Sequence, residues 1–159
     1  MKTLIFIVIP LILYSGETLH ALQITPSDTL VVEVTGTGTD AKFVPALIQV
    51  NAGDVIRFEV LEGMHTVTAY HPDNRRPLRI PDAASSFDSG MLNKGDVWLL
   101  KIDEKGVYDY FCMPHERLGH VGRILVGTKE ASAEYDNSLI PKEAARIFSM
   151  YWKKKQQKK

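Results

Sequence analysis

From Leu22 to Gly127 the apolar positions recur with the period of strands. "TLVVEVTG" is β-branched and runs into the turn-like "GTGTD", and in "VIRFEV" Val55, Arg57 and Glu59 alternate with Ile56, Phe58 and Val60. "LIQV" leads into that run through "NAGD", a hairpin or a sharp corner. "HTVTAY", "VWLLKI", "VYDYF" and "GRILVG" follow, separated by breaks such as "LNKGD" and "DEKG". Six or seven short strands with no strongly amphipathic helix among them predict an all-β Greek-key sandwich or barrel.

Two stretches break that period. Residues 71–96 hold three prolines and many polar residues, which predicts an irregular excursion with a turn or two of helix at most. It either covers a site or simply crosses between sheets. In the tail, Ile140, Ala144, Ile147, Phe148 and Tyr151 form the apolar stripe of a helix that begins near Pro141, a residue suited to a first turn. The helix packs on the sandwich, or serves as a docking arm for an acidic partner or anionic lipid.

The N-terminus reads as a targeting segment. Lys2, an apolar run from Leu4 to Tyr14 and the small residue Ala21 give residues 1–21 the form of an export signal, the run being too short to span a bilayer. An uncleaved anchor is the competing reading. The expected organisation is residues 1–21 as signal peptide, 22–128 as the β domain and 129–159 as a helical, basic tail, in a periplasmic or secreted protein. At 159 residues, 45% of them hydrophobic, the chain can bury one real core.

Formal charge sums to zero but is unevenly spread. Residues 22–128 carry 10 Lys and Arg against 14 Asp and Glu, and residues 129–159 carry 8 against 4, ending in "KKKQQKK". The body shows no basic patch interleaved with aromatics, which argues against nucleic-acid binding. The routes by which the chain would meet a membrane are an uncleaved N-terminus and this tail.

Chemistry concentrates in "YDYFCMPHERLGHVGRILVG", which carries the only cysteine of the chain and two of its five histidines. An unpaired thiol in an exported protein is a liability unless something holds it, through an intermolecular bond or a metal. Thiolate and imidazole suit copper and zinc, and a His2Cys set with a weak extra ligand is the arrangement of blue-copper sites. Cys112-x2-His115 supplies two donors on one tight loop; His65, at a strand start in "GMHTV", is the best candidate for the second imidazole. His71 stands about 20 Å further along if the strand continues, too far to share the metal. Met64 and Met113 flank ligands in sequence, so their side chains face the other way and are expected to pack.

Phe43, Pro45, Gly53-Asp54, His65, Gly106-Val107-Tyr108 and Cys112-x2-His115, in this order, resemble the cupredoxins, in particular the plastocyanin and pseudoazurin branch. The resemblance covers about residues 41–127, and a helical C-terminal extension is also similar to pseudoazurins. It implies a Greek-key sandwich holding one copper ion, with His65, Cys112 and His115 as equatorial ligands. The family pattern C-x2-H-x4-M ends in methionine, a long and weak axial ligand; this chain has His120 there. A His120 ligand would bind Cu(II) more strongly and disturb an ordinary blue site.

The function implied is an exported one-electron carrier, not an enzyme, with a small redox protein as partner and His115 as the surface route for the electron. Met113, Pro114 and Leu118 would make an apolar docking surface, rendered more polar by Glu116 and Arg117. The alternative is copper binding for delivery, storage or sensing without electron shuttling. Zinc in a closed His3Cys site is chemically allowed.

Overall fold

The computed structural model describes residues 29–127 and 135–156, so the expected signal peptide lies outside the described residues. Two four-stranded sheets face each other. The first has the order β2 (Lys42–Val44), β1 (Leu30–Thr35), β4 (Val55–Val60), β8 (Val97–Lys101); the second has β3 (Leu47–Val50), β10 (Val121–Val126), β9 (Gly106–Phe111), β6 (Thr68–Ala69). A two-stranded ribbon, β5 (Met64–His65) with β7 (Leu92–Asn93), closes one pole. Ten described strands thus replace the six or seven expected, the surplus being pieces too short to carry a periodic signal.

Alternation explains which face each strand buries. In β4 the buried residues are Ile56, Phe58 and Val60, as the pattern predicts, and with Val32, Val34 and Tyr110 they form part of one core between the sheets. "NAGD" resolves as a corner rather than a hairpin, because β3 and β4 belong to different sheets. The corner is closed by Asn51 N–H donating to Asp54 Oδ2 at 2.7 Å.

β10 is buried on both faces, and β9 from Val107 to Phe111. The reason lies in the tail: Ile140, and Ala144 and Phe148 of α1 (Lys142–Gln156), lie over Tyr70, Phe111 and Val121, giving the second sheet an outer apolar layer. Below it sits a buried charged cluster. Asp109 accepts from Arg123 Nε at 2.6 Å and from Arg79 Nε at 2.9 Å, and Arg79 also donates to Asp136 O (2.9 Å) and Asn137 Oδ1 (3.0 Å). The guanidinium of Arg79 lies over the Phe148 ring at 4.7 Å, so the tail is tied to the sandwich by apolar, ionic and cation–π contacts together.

The 71–96 excursion both crosses between sheets, from β6 to β8, and contributes β7, the strand paired with His65. Asn74 pins it by donating to Ala69 O (2.9 Å) and Phe87 O (3.1 Å). It also delivers Arg79 to the cluster under α1 and Arg76 to the loop that carries Cys112 and His115.

Candidate metal centre

Four side chains from two segments converge at the pole closed by the β5–β7 ribbon. The ligand atoms of His65, Cys112, His115 and His120 all lie within 4.8 Å of one another, and His115 alone among them is open to solvent. The Cys112 Sγ stands 3.6 Å from His65 Nδ1 and 3.4 Å from His115 Nδ1.

The loop geometry follows from the sequence between the ligands. Cys112 directly follows β9, and Met113–Leu118 wind into a 3-10 helix with Pro114 in its first turn. Gly119 reverses the chain in the left-handed region (φ 88°), where a side chain would be strained and would meet Glu143 Cγ at 2.9 Å. His120 then returns beside Cys112, whose N–H donates to His120 O at 3.0 Å; the four-residue spacer is the length of this winding.

Each imidazole is fixed differently. His65 Nε2 faces two carbonyl oxygens, Glu62 at 2.8 Å and Gly36 at 3.1 Å, so it carries the proton and leaves the Nδ1 lone pair for the cluster. Gly63 permits that approach: a Cβ there would stand 2.8 Å from His65 Nε2. The Cys112 sulfur accepts from Thr66 N–H at 3.4 Å, while burial pushes its thiol pKa up. A metal reverses that balance by binding the thiolate.

His120 is buried, 1% exposed, and neither of its ring nitrogens has a hydrogen-bond partner. Its ring lies against Phe43, with centroids 4.0 Å apart. Burial first, then the positive potential of His65 and His115 when charged, depress its pKa to about 3, with the Lys42 backbone opposing weakly. Orphaned buried polar atoms cost roughly 1–3 kcal/mol each, so an imidazole kept here neutral and unpaired, facing a thiol and two further imidazoles, fits a metal.

The family profile of copper binding proteins, plastocyanin/azurin family, matches residues 30–127. The chain belongs to this family. As in the family, its cofactor is copper, for which the His3Cys cluster is a suitable donor set. This cupredoxin is 32% identical to plastocyanin of Ginkgo biloba over 92 residues, 57% of this chain and 93% of that one. It is 31% identical to pseudoazurin of Methylorubrum extorquens over 104 residues, covering 65% of this chain and 64% of that sequence. The crystal structure of pseudoazurin from Methylobacterium extorquens AM1 superposes with a TM-score of 0.54 at 26% identity, covering 78% of this chain and 99% of that one.

His71 lies outside the cluster. It caps the short turn Pro72–Asn74, its Nδ1 accepting from Asp73 N–H at 3.2 Å. Two sequence expectations are corrected. Met64 and Met113 are exposed to solvent rather than packed. Glu116 is not part of the polar surface: it is 3% exposed and gripped by Arg76, whose Nε and Nη2 donate to its carboxylate at 3.0 and 2.6 Å. That pair staples the ligand loop to the 71–96 excursion, and Arg76 also covers the Phe111 ring at 4.9 Å. Forty residues separate the partners, so no local pattern announces the contact. Thr66 was overlooked too, although its place directly after His65 is the one signal available; its Oγ1 accepts from Met113 N–H at 2.8 Å.

Proposed function

We propose that this cupredoxin is an exported one-electron carrier whose copper is held by His65, Cys112, His115 and His120. The observation that carries the reading is the convergence of one thiol and three imidazoles within 4.8 Å, with His120 buried and unpaired. Copper, when bound, supplies one-electron exchange between Cu(I) and Cu(II). The protein's part is to hold the donors still. His65 is locked by two carbonyls, Cys112 by Thr66 and His120 backbone contacts, and His115 by its N–H donating to Cys112 O at 3.0 Å. Donors that need not move keep the reorganisation cost of each transfer low.

His115 reaches solvent among exposed Met113, Pro114 and Leu118, which supports a small redox protein docking there and the electron leaving through this ring. With Glu116 withdrawn into its ion pair, Arg117 is the charged residue of the loop left exposed, so docking favours an acidic rim on the partner. Residues 1–21 act as the export signal, 22–128 form the copper domain, and 129–159 form an accessory tail; the protein works in the periplasm or as a secreted species, and not as an enzyme. One feature favours a second reading, copper delivery or storage: His120 stands where the pattern this chain resembles ends in methionine, and an imidazole ligand there would stabilise Cu(II) and lower the potential.

The test is the visible and electron paramagnetic resonance spectrum of the copper-loaded protein beside Cys112→Ala. Thiolate charge transfer is expected in the first and absent in the second, with the sandwich still folded by circular dichroism. A variant that kept the native visible spectrum would remove Cys112 from the site. Rapid reduction and reoxidation by a small redox protein supports the carrier; handing over the metal itself supports delivery.

A further inference from the structure

Methionine is among the residues most often buried, yet the four methionines of the described residues are all exposed: Met64 60%, Met91 54%, Met113 46% and Met150 44%. Met150 gives its sulfur to Arg146 Nη1 at 3.5 Å. The sulfurs of the other three have no such partner among the described residues.

Those three lie together. The β5–β7 register pairs Met64 with Asn93 and His65 with Leu92, so Met91, two residues before Asn93, is the diagonal neighbour of Met64 on one face. Diagonal neighbours stand about 7–8 Å apart at the backbone. On the other side, β6 pairs with β9 as Thr68 with Phe111, and two residues further this brings Met113 beside Thr66, where Met113 N–H donates to Thr66 Oγ1 at 2.8 Å. Thr66 is two residues from Met64, so the backbone of Met113 also comes near that of Met64. Met64 and Met113 are exposed where their sequence neighbours His65 and Cys112 are buried.

Three flexible thioethers thus fringe the pole of the copper site, two of them next to a proposed ligand in sequence and the third next to the strand partner of His65. Thioether sulfur is a soft, uncharged donor that suits Cu(I) better than the harder Cu(II). We propose that Met64, Met91 and Met113 form a surface loading site for Cu(I), from which the ion passes to His115, two residues beyond Met113 and the solvent-open member of the cluster. The passage to His115 rests on the copper reading above; the thioether site itself does not. No electron moves in this step: Cu(I) exchanges thioether ligands for imidazole and thiolate, and the Cys112 proton goes to solvent.

The experiment compares the unmodified protein with Met64→Leu/Met91→Leu/Met113→Leu. Leucine keeps the apolar bulk, so a surface used only for docking is preserved and the sulfur alone is tested. Anaerobic loading of the metal-free protein from the Cu(I) complex of bathocuproine disulfonate is expected to slow at least tenfold in the triple variant, while loading with aqueous Cu(II) is unchanged. In the unmodified protein, substoichiometric Cu(I) should shift the methyl resonances of these three methionines, and should do so in Cys112→Ala too. Equal Cu(I) loading rates, an equal slowing for both oxidation states, or methionine resonances that stay put in Cys112→Ala would each overturn the proposal. If the copper reading alone is wrong, the methyl shifts persist while no thiolate band ever develops.

Discussion

The imidazole of His120 lies against the ring of Phe43, centroids 4.0 Å apart and planes 40° from parallel, and is 5.0 Å from the His65 ring at 84°. Phe43 comes from β2, in the opposite sheet, so the core itself presses this ring into the cluster. A side chain wedged this way cannot swing to water to satisfy its nitrogens. Its chemistry is therefore set by what the cluster holds.

With His120 as a copper ligand, its strong donation weakens the bond from copper to the Cys112 thiolate, and charge-transfer intensity moves to higher energy, giving a green to red protein. His120→Met should be blue and have a higher reduction potential, since removing the stronger donor favours Cu(I). Visible absorption, electron paramagnetic resonance and voltammetry on both proteins check this. An unmodified protein that is already an ordinary blue site, with spectrum and potential untouched by the substitution, would show that His120 is not a ligand.

Metal-free stability should depend on pH through the same residue. The unfolded chain protonates His120 near its ordinary pKa of about 6.5, whereas the folded chain resists until about 3. Between those values the unfolded state binds the extra proton, so stability is present above pH 6.5 and falls by about 1.4 kcal/mol for each unit of acidification through the window. Urea titrations of metal-free protein from pH 7 to 4 should show this slope, and His120→Met should reduce it by one proton. Parallel curves for the two proteins would contradict the assignment.

Asp109 is wholly buried between Arg79 and Arg123. Asp109→Ala leaves two guanidinium groups without their shared carboxylate and should cost about 3–5 kcal/mol in urea unfolding. Asp109→Asn, which keeps a hydrogen-bond acceptor, should cost less. Because the triad lies under α1 rather than at the metal, the visible spectrum of whatever copper protein folds should be unaltered.

Removing residues 129–159 should leave one copper per chain, since no proposed ligand lies there. It strips the cover from Tyr70, Phe111 and Val121 and two acceptors from Arg79. The loss of stability should be no smaller than for Phe148→Ala, about 3–5 kcal/mol. Metal analysis and thermal unfolding of the truncated chain decide both points. A folded truncation that binds no copper would assign the tail to the site.

The sequence alone determined the sandwich, the tail helix and three of the clustered donors in short-range terms, while His65 was legible only as a histidine at a strand start. Alternation in β4 depends on neighbouring residues, the helical stripe from Ile140 to Tyr151 on neighbouring turns, and Cys112-x2-His115-x4-His120 on one loop. Only the tertiary structure decided which side chains meet across the chain. Glu116 reads as a surface charge until Arg76 arrives from forty residues away. The same holds for Met64, Met91 and Met113, whose backbones come near one another only through pairings made across the chain. Local pattern fixes how a segment folds and which face is apolar; the partner of a buried charge or an exposed sulfur depends on loop paths that no local period records.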